Sequence, residues 1–300
     1  MSQHAALHST HSMPTKAQQP GSAATPARIA LETRELGVTY PNGVVGLHPQ
    51  SITFKQGDVI VLLGASGAGK STLLRSLNGL AQPTQGEILA EDLGRVVSAP
   101  RSGRVHRATL RAHRRRTGMI FQQHHLIGRL TVLQNVLLGR IGYHNSLRSL
   151  WPVTREEKDM ALAAIERVGL LERALQRADH LSGGQQQRVG VARALIQQPS
   201  ILLADEPVAS LDPATAEQLL SLIHDICKKD GLTAIISLHQ VAFARRFADR
   251  IIGLKAGDVV FDGTTDTLSP QQTDSLYQQP APPKAARTAL QTSSAPALEY

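Results

Sequence analysis

Two glycine-rich turns and one pair of acids carry the chemistry legible in this 300-residue chain. The first turn, Gly64-Ala65-Ser66-Gly67-Ala68-Gly69-Lys70-Ser71, has the glycine and lysine spacing of a phosphate cradle. Its glycines let successive backbone N–H groups face the β- and γ-phosphates, and the helix that follows presents its positive end to the same charge. Lys70 adds a mobile point charge, Ser71 offers a hydroxyl to Mg²⁺, and Thr72 caps or packs the helix. Alone, such a loop arises by chance in roughly 1% of chains this long, and it serves kinases, GTPases, helicases and transport motors alike. The second turn, Leu181-Ser182-Gly183-Gly184-Gln185, removes most of those classes.

That second turn reads as a helix start. Ser182 can cap a helix running through Gln185, Arg188, Val189, Ala192, Ala194 and Ile196 to a stop at Pro199, which leaves free N–H groups as a second phosphate-binding end. A compact chain does not easily bring both ends to one phosphate, so the simplest arrangement is a two-fold dimer in which each subunit's turn covers the other's nucleotide. The apolar run Ile201–Ala204 then delivers Asp205 and Glu206 to the carboxyl edge of a sheet, where α/β proteins bind ligands. Asp205 is suited to hold Mg²⁺ directly or through water, and Glu206 to orient or deprotonate an attacking water. A second buried run, Thr233–Leu238, ends at His239, within reach of the γ-phosphate if it lies at the same edge.

The elements that position these residues follow from periodicity. Residues Ile29 to Tyr40 read as extended and Pro41-Asn42-Gly43 as a turn, so a β-hairpin opens the fold, with a short strand at Ser51–Phe54. Val59–Leu63 is a continuous apolar run of the kind buried on both faces of a sheet, and it runs directly into the phosphate loop and a helix from Ser71 to Leu77. A strand-like Gly118–Phe121 precedes Gln122. From Gln122 to the second turn no strong strand signal occurs: a helix is expected from about Thr131 to Leu138, little periodicity from Tyr143 to Pro152, and an amphipathic helix from Arg155 to Val168. This region, about 123–180, reads as helices inserted into an α/β core.

Composition sets bounds. At 41% hydrophobic the chain can bury a sizeable core, but it contains no apolar run near the ~20 residues needed to span a bilayer, so a transport role would need other chains to form the pore. Residues 1–27 lack the apolar segment of a secretory signal and read as a disordered lead, in which His4, His8 and His11 belong to an unstructured polar stretch. The Pro- and Ala-rich residues 279–300 read as a flexible tail. The single cysteine, Cys227, reads as a packed thiol. The net charge of +8 concentrates in Arg101, Arg104, Arg107, Arg111, Arg114, Arg115 and Arg116, with Arg104, Arg107, Arg111 and Arg114 at helical spacing on one face. A solvated face, an anionic membrane surface and nucleic acid are the three readings; without interleaved aromatics to stack bases, no nucleic-acid partner is expected.

In order along the chain, these residues resemble the ATP-binding cassette (ABC) family from about Ile29 to Gly263: an aromatic before the first turn (Tyr40), Gly64 to Thr72, Gln122, Leu181 to Gln185, Ile201 to Glu206, Ser210-Leu211-Asp212 and His239. The resemblance implies an α/β P-loop NTPase core over residues 28–278, with an antiparallel β subdomain and an inserted helical subdomain. It implies adenine stacking on Tyr40, Mg²⁺ contact from Gln122 as well as Ser71 and Asp205, nucleotide contact from Ser182, Gly183, Gly184 and Gln185 across a homodimer, and cross-dimer communication through Asp212. Within the family the chain is similar to the ATPase subunits of bacterial phosphonate importers, on Gly118–Gln123, Arg129–Arg140, Tyr143, Arg148-Ser149-Leu150 and Ala204–Pro213. That likeness implies two transmembrane permease partners, indirectly a periplasmic solute-binding protein, and a place on the cytoplasmic side of the inner membrane. Importers of other solutes, such as phosphate-like oxyanions or amino acids, are the alternative in transport. Nucleic-acid repair or translation ATPases share the cassette, but usually carry tandem cassettes or a long coiled-coil insertion that this chain lacks.

Overall fold

A computed structural model of the chain describes residues 28–122, 125–143 and 153–278. The expected lead and tail, Gln123 and the stretch 144–152 that includes Arg148-Ser149-Leu150 lie outside the described residues. Two sheets organise the rest. β1 (Ile29–Thr39) and β2 (Val45–Lys55) form the opening hairpin, and with β4 (Gln85–Ala90) and β5 (Gly94–Ser98) they make an antiparallel sheet in the order β2-β1-β4-β5. β2 is longer than the strand expected at Ser51–Phe54, because Leu47, Ile52 and Phe54 all bury their side chains through it.

The second sheet comprises β3 (Val59–Leu63), β6 (Thr117–Ile120), β7 (Ile201–Ala204), β8 (Thr233–Ser237), β9 (Arg250–Lys255) and β10 (Asp258–Gly263). Its order is β10-β9-β3-β8-β7-β6, with β10 antiparallel to β9 and every other neighbouring pair parallel. The apolar run of β3 is continuous because both faces are covered. Val59, Val61 and Leu63 face one core, while Ile60 and Leu62 face the other, as the period of two in a strand requires.

Between the two sheets lies α1 (Lys70–Leu77), with Leu73, Leu74 and Leu77 fully buried against the cluster that holds Leu31 and Phe54. Each such leucine contributes roughly 1.5–3 kcal/mol by leaving water, so the phosphate loop is anchored at its exit. The opposite core gathers α3 (Val132–Leu137), α4 (Arg155–Arg167), α5 (Gly183–Leu195), α6 (Pro213–Asp230) and α7 (Val241–Phe247). Thr131, Thr154 and Ser182 each start their helix with a reciprocal capping box. The described residues between 125 and 180 form helices, 3-10 turns and one isolated bridge, Thr131 to Arg177. Cys227 is buried in α6, and burial pushes its thiol up to about 12, a packed group.

The arginine stripe needs correcting. Helix α2 (Arg107–Arg116) begins only at Arg107; Arg101 sits in a 3-10 turn and Arg104 in the connection before the helix. Nor are all the charges turned to solvent. Arg114 donates to the carbonyls of Asn78 (3.1 Å) and Gly79 (2.6 Å), Arg115 to Gly142 (3.0 Å), and Arg116 pairs with Asp92 at 2.8 Å. A run of seven like charges in sequence is thus divided between backbone acceptors, one acid and open water.

Candidate active site

The parallel strands deliver their chemistry to one edge. β3 ends in the phosphate loop, and its glycines are there for conformation and room: Gly64 (φ 148°), Gly67 (φ 77°) and Gly69 (φ 106°) all lie at positive φ. A Cβ on Gly64 would stand 2.2 Å from the Leu254 carbonyl oxygen, and one on Gly69 2.6 Å from that of Gly46. Ala65 is half-buried and Ser66 and Gly67 are exposed at the loop's crest, while Ala68 packs inward. Lys70 is 3% exposed, and its ammonium donates to the carbonyls of Gly64 (2.7 Å) and Ala65 (3.0 Å). Burial holds its pKa below the ordinary lysine value, against the opposing pull of Glu206 and Asp205.

Asp205 and Glu206 leave the end of β7 in different directions. Asp205 is buried; its Oδ1 accepts from the Ser71 hydroxyl at 2.7 Å and from the Ser237 hydroxyl at 3.1 Å, and Arg75 approaches Oδ2 at 3.5 Å. Glu206 adopts a left-handed backbone (φ 48°), strained for a residue with a side chain. Its Oε1 lies 2.6 Å from Nε2 of His239, two residues beyond β8. Gln122 emerges, exposed, two residues after Ile120, whose carbonyl accepts from the Asp205 N–H at 2.9 Å. Glu206, His239, Lys70, Ser71, Asp205 and Gln122 therefore belong to one sheet edge.

Other sequence-predicted residues surround it. Tyr40 is 37% exposed at the end of the opening strand, and its hydroxyl and that of Thr72 are 2.9 Å apart, so Thr72 faces the tyrosine. Ser182 and Gly183 are exposed at the start of α5. The Gln185 side chain is engaged at home: its Oε1 accepts from the Ser182 N–H (3.0 Å) while Ser182 Oγ accepts from the Gln185 N–H (3.3 Å), which leaves Gly183 and Gly184 as the uncapped first-turn amides. Asp212 caps α6, accepting from the Thr215 N–H at 3.0 Å, and this bond holds its carboxyl below the usual range.

Three groups escaped the sequence reading. Ser237 and Arg75, both on Asp205, sit inside an apolar strand and a helix repeat that gave no polar signal. Tyr277, in α8 (Pro270–Tyr277), donates to the His239 carbonyl at 2.7 Å from a helix with no motif to flag it.

With a glycine cradle, a buried lysine and two acids at one edge, the comparison with known proteins is decisive. The chain matches the ABC transporter family over residues 47–209. This chain belongs to the ABC transporter family. It is 58% identical over 272 residues to a phosphonates import ATP-binding protein, PhnC 2, of Cupriavidus metallidurans, covering 91% of this chain and 94% of that one. To a phosphite import ATP-binding protein, PxtA, of Stutzerimonas stutzeri it is 54% identical, covering 89% and 91%. Among solved structures, the dimeric bacterial ABC transporter cassette MJ0796 matches with a TM-score of 0.66 at 33% identity, covering 78% of this chain and 98% of that one. The cbiO1 protein of Clostridium perfringens matches at 0.69 and 26%, covering 82% and 92%. The chain is an ABC ATPase that binds ATP, with the α/β core and the antiparallel β subdomain expected from its sequence.

Proposed function

We propose that this chain is the ATPase of an importer for phosphorus oxyanions, phosphonates first, acting as a homodimer beneath two permease subunits on the cytoplasmic face of the membrane. The supporting observation is near full-length similarity, at 58% and 54% identity, to two import ATP-binding proteins whose solutes are both phosphorus oxyanions. Among the described residues no helix is long and apolar enough to cross a membrane, so the pore is assigned to partner chains.

ATP lies with its phosphates in the loop Gly64–Ser71 and its base toward Tyr40. The uncapped amides of exposed Gly183 and half-buried Gly184 in one subunit close on the nucleotide of the other, which is why the site is read as shared. Mg²⁺ fits the donor set, since Ser71 Oγ and Asp205 Oδ1, both hard oxygens, are 2.7 Å apart. When bound, the ion neutralises charge that develops on the transferred phosphoryl group. Gln122 stands at the same edge and completes the candidate metal contacts. Glu206 takes the proton of the attacking water or orients it, and His239, bonded to that carboxylate, holds it toward the γ-phosphate. Asp212 relays closure between subunits.

The permease is proposed to dock over the arginine cleft. Arg107, Arg111, Arg114 and Arg115 line a cavity of about 580 Å³ with Tyr143 and Gln197, and among the described residues no carboxylate lines it. The Tyr143 hydroxyl lies 2.8 and 2.7 Å from the carbonyls of Arg115 and Gln197, tying α2 to the end of α5. A surface with this charge calls for an acidic segment on the partner, and α2 leads through β6 directly to Gln122. The test is growth on an alkylphosphonate as sole phosphorus source, with phosphite as a parallel arm. Both should require Glu206 if both oxyanions are carried, and growth on inorganic phosphate should not. Unimpaired uptake of either by a Glu206→Gln strain lacking a second importer rejects that solute and leaves the ATPase standing.

A further inference from the structure

We propose that Ser237 is a positioning residue for ATP hydrolysis: its single hydroxyl clamps the Asp205 carboxylate and the Glu206 backbone together, so that the metal-side and water-side acids keep one geometry. The inference rests on the reading of Glu206 as the residue that acts on water. Ser237 is the last residue of β8 and fully buried. The register explains its reach. It pairs with Leu62 of β3, two residues before the phosphate loop, and it follows Ile236, which pairs with Ala204 of β7, one residue before Asp205. It thus stands between the strand that feeds the loop and the strand that feeds the acids.

Packing alone does not call for a hydroxyl there. The three residues before it in the strand are Ala234, Ile235 and Ile236, all buried and apolar, and a buried hydroxyl is tolerated only where it is bonded. Ser237 has two such bonds: it accepts from the Glu206 N–H at 2.8 Å and donates to Asp205 Oδ1 at 3.1 Å, with the Ala204 carbonyl at 3.5 Å on the margin. The first of these matters most. β7 ends at Ala204, and the Asp205 N–H pairs outward with Ile120, so the chain reverses sides at Glu206 and needs an acceptor for its N–H. The Ser237 oxygen supplies it, and in doing so stabilises the left-handed Glu206 backbone (φ 48°) that turns its carboxylate to His239. The second bond sets Ser237 opposite Ser71 on the same carboxylate oxygen, so Asp205 is held from both the loop and β8.

The experiment uses the purified full-length chain and compares Ser237→Ala, Ser237→Thr, Glu206→Gln and the Ser237→Ala/Glu206→Gln double variant. Ser237→Ala should lower kcat about ten-fold while the KM for ATP moves less than about two-fold, because geometry and not binding is lost. Ser237→Thr, which keeps the hydroxyl, should recover most of that turnover. The double variant should lose less than the sum of the two single losses, since the part of the Ser237 effect that runs through Glu206 has nothing further to lose. Wild-type turnover in Ser237→Ala beside a slow Glu206→Gln overturns the inference and spares the reading beneath it. Additive losses in the double variant overturn it too, and so does a Ser237→Ala enzyme that loses nucleotide affinity and turnover together. Near wild-type turnover in Glu206→Gln overturns both.

Discussion

Lys70 offers the sharpest separation of folding from function. Its ammonium is buried, 3% exposed, and it is satisfied by two loop carbonyls at 2.7 and 3.0 Å. Lys70→Met keeps the apolar stem and removes the charge. In the nucleotide-free protein two effects then oppose each other: relief of a desolvation penalty of several kcal/mol, and the stranding of two carbonyls at about 1–3 kcal/mol each. They offset, and the free variant should stay within about 2 kcal/mol of wild type. With ATP the balance changes. A charge-assisted bond to phosphate contributes about 1.5–3 kcal/mol, so losing one or two weakens binding about 10²-fold.

At ATP a hundred-fold above its Kd, the wild-type protein gains about 2.7 kcal/mol, which for a domain of this size raises Tm by about 5–10 °C. The same ATP concentration would stand only near the variant's Kd and give about 0.4 kcal/mol, a shift of about 1 °C. Thermal melting with and without ATP, with calorimetric titration for Kd, reads both quantities. A full wild-type shift in Lys70→Met would refute the assignment of Lys70 to phosphate. A drop of more than about 8 °C in the free protein would show instead that the lysine is structural.

Glu206→Gln should keep ATP affinity and slow turnover by about 10²–10⁴ in steady-state hydrolysis, since it alters the group on water and not the phosphate cradle. Gly69→Ala should abolish nucleotide binding in the same titration, because its Cβ would meet the Gly46 carbonyl at 2.6 Å in a left-handed backbone. His113 is buried and lies 2.7 Å from the Leu77 carbonyl; burial holds its pKa below 6.5, with Arg114 adding to the effect. The unfolded chain therefore binds the proton first: stability is full above 6.5 and falls as pH drops through the folded value. His113→Gln should flatten that acid-side loss in melting curves taken across the range. Reversing Arg107 and Arg111 to Glu should break co-purification with the permease while the isolated ATPase stays active.

How much was legible depended on whether local sequence or tertiary register set the feature. The phosphate loop, the Ser182 cap and the Asp205-Glu206 pair are local. Their glycines, capping hydroxyl and strand-end acids work through neighbours within a few residues, so pattern and role coincide. β4 and β5 gave little signal because Glu91-Asp92 and Gly94 interrupt a short half-buried pair whose pairing with β1 is what orders it. The arginine stretch misled because charge periodicity says nothing of backbone acceptors brought from elsewhere: Asn78, Gly79 and Gly142 claim Arg114 and Arg115. Ser237 and Tyr277 were silent for a related reason, since each acts on a residue reached only through the sheet or a late helix.

The same distinction bears on how the site changes state. The residues proposed to touch phosphate are fixed by short-range structure: Lys70 by its own loop, Ser71 by the first turn of α1, Gly183 and Gly184 by the Ser182 cap. The residues proposed to act on water are held through long-range bonds. Glu206 depends on Ser237 and His239, and the His239 backbone depends on Tyr277 of α8, 38 residues further on. Each subunit's phosphate-binding ends can therefore be pre-formed while hydrolytic geometry stays conditional on strand and helix positions that neighbouring elements can shift. An ATPase that must hold ATP before a partner signals, and hydrolyse it only afterwards, needs that separation, because a catalytic carboxylate as rigidly placed as the phosphate loop would fire on binding alone.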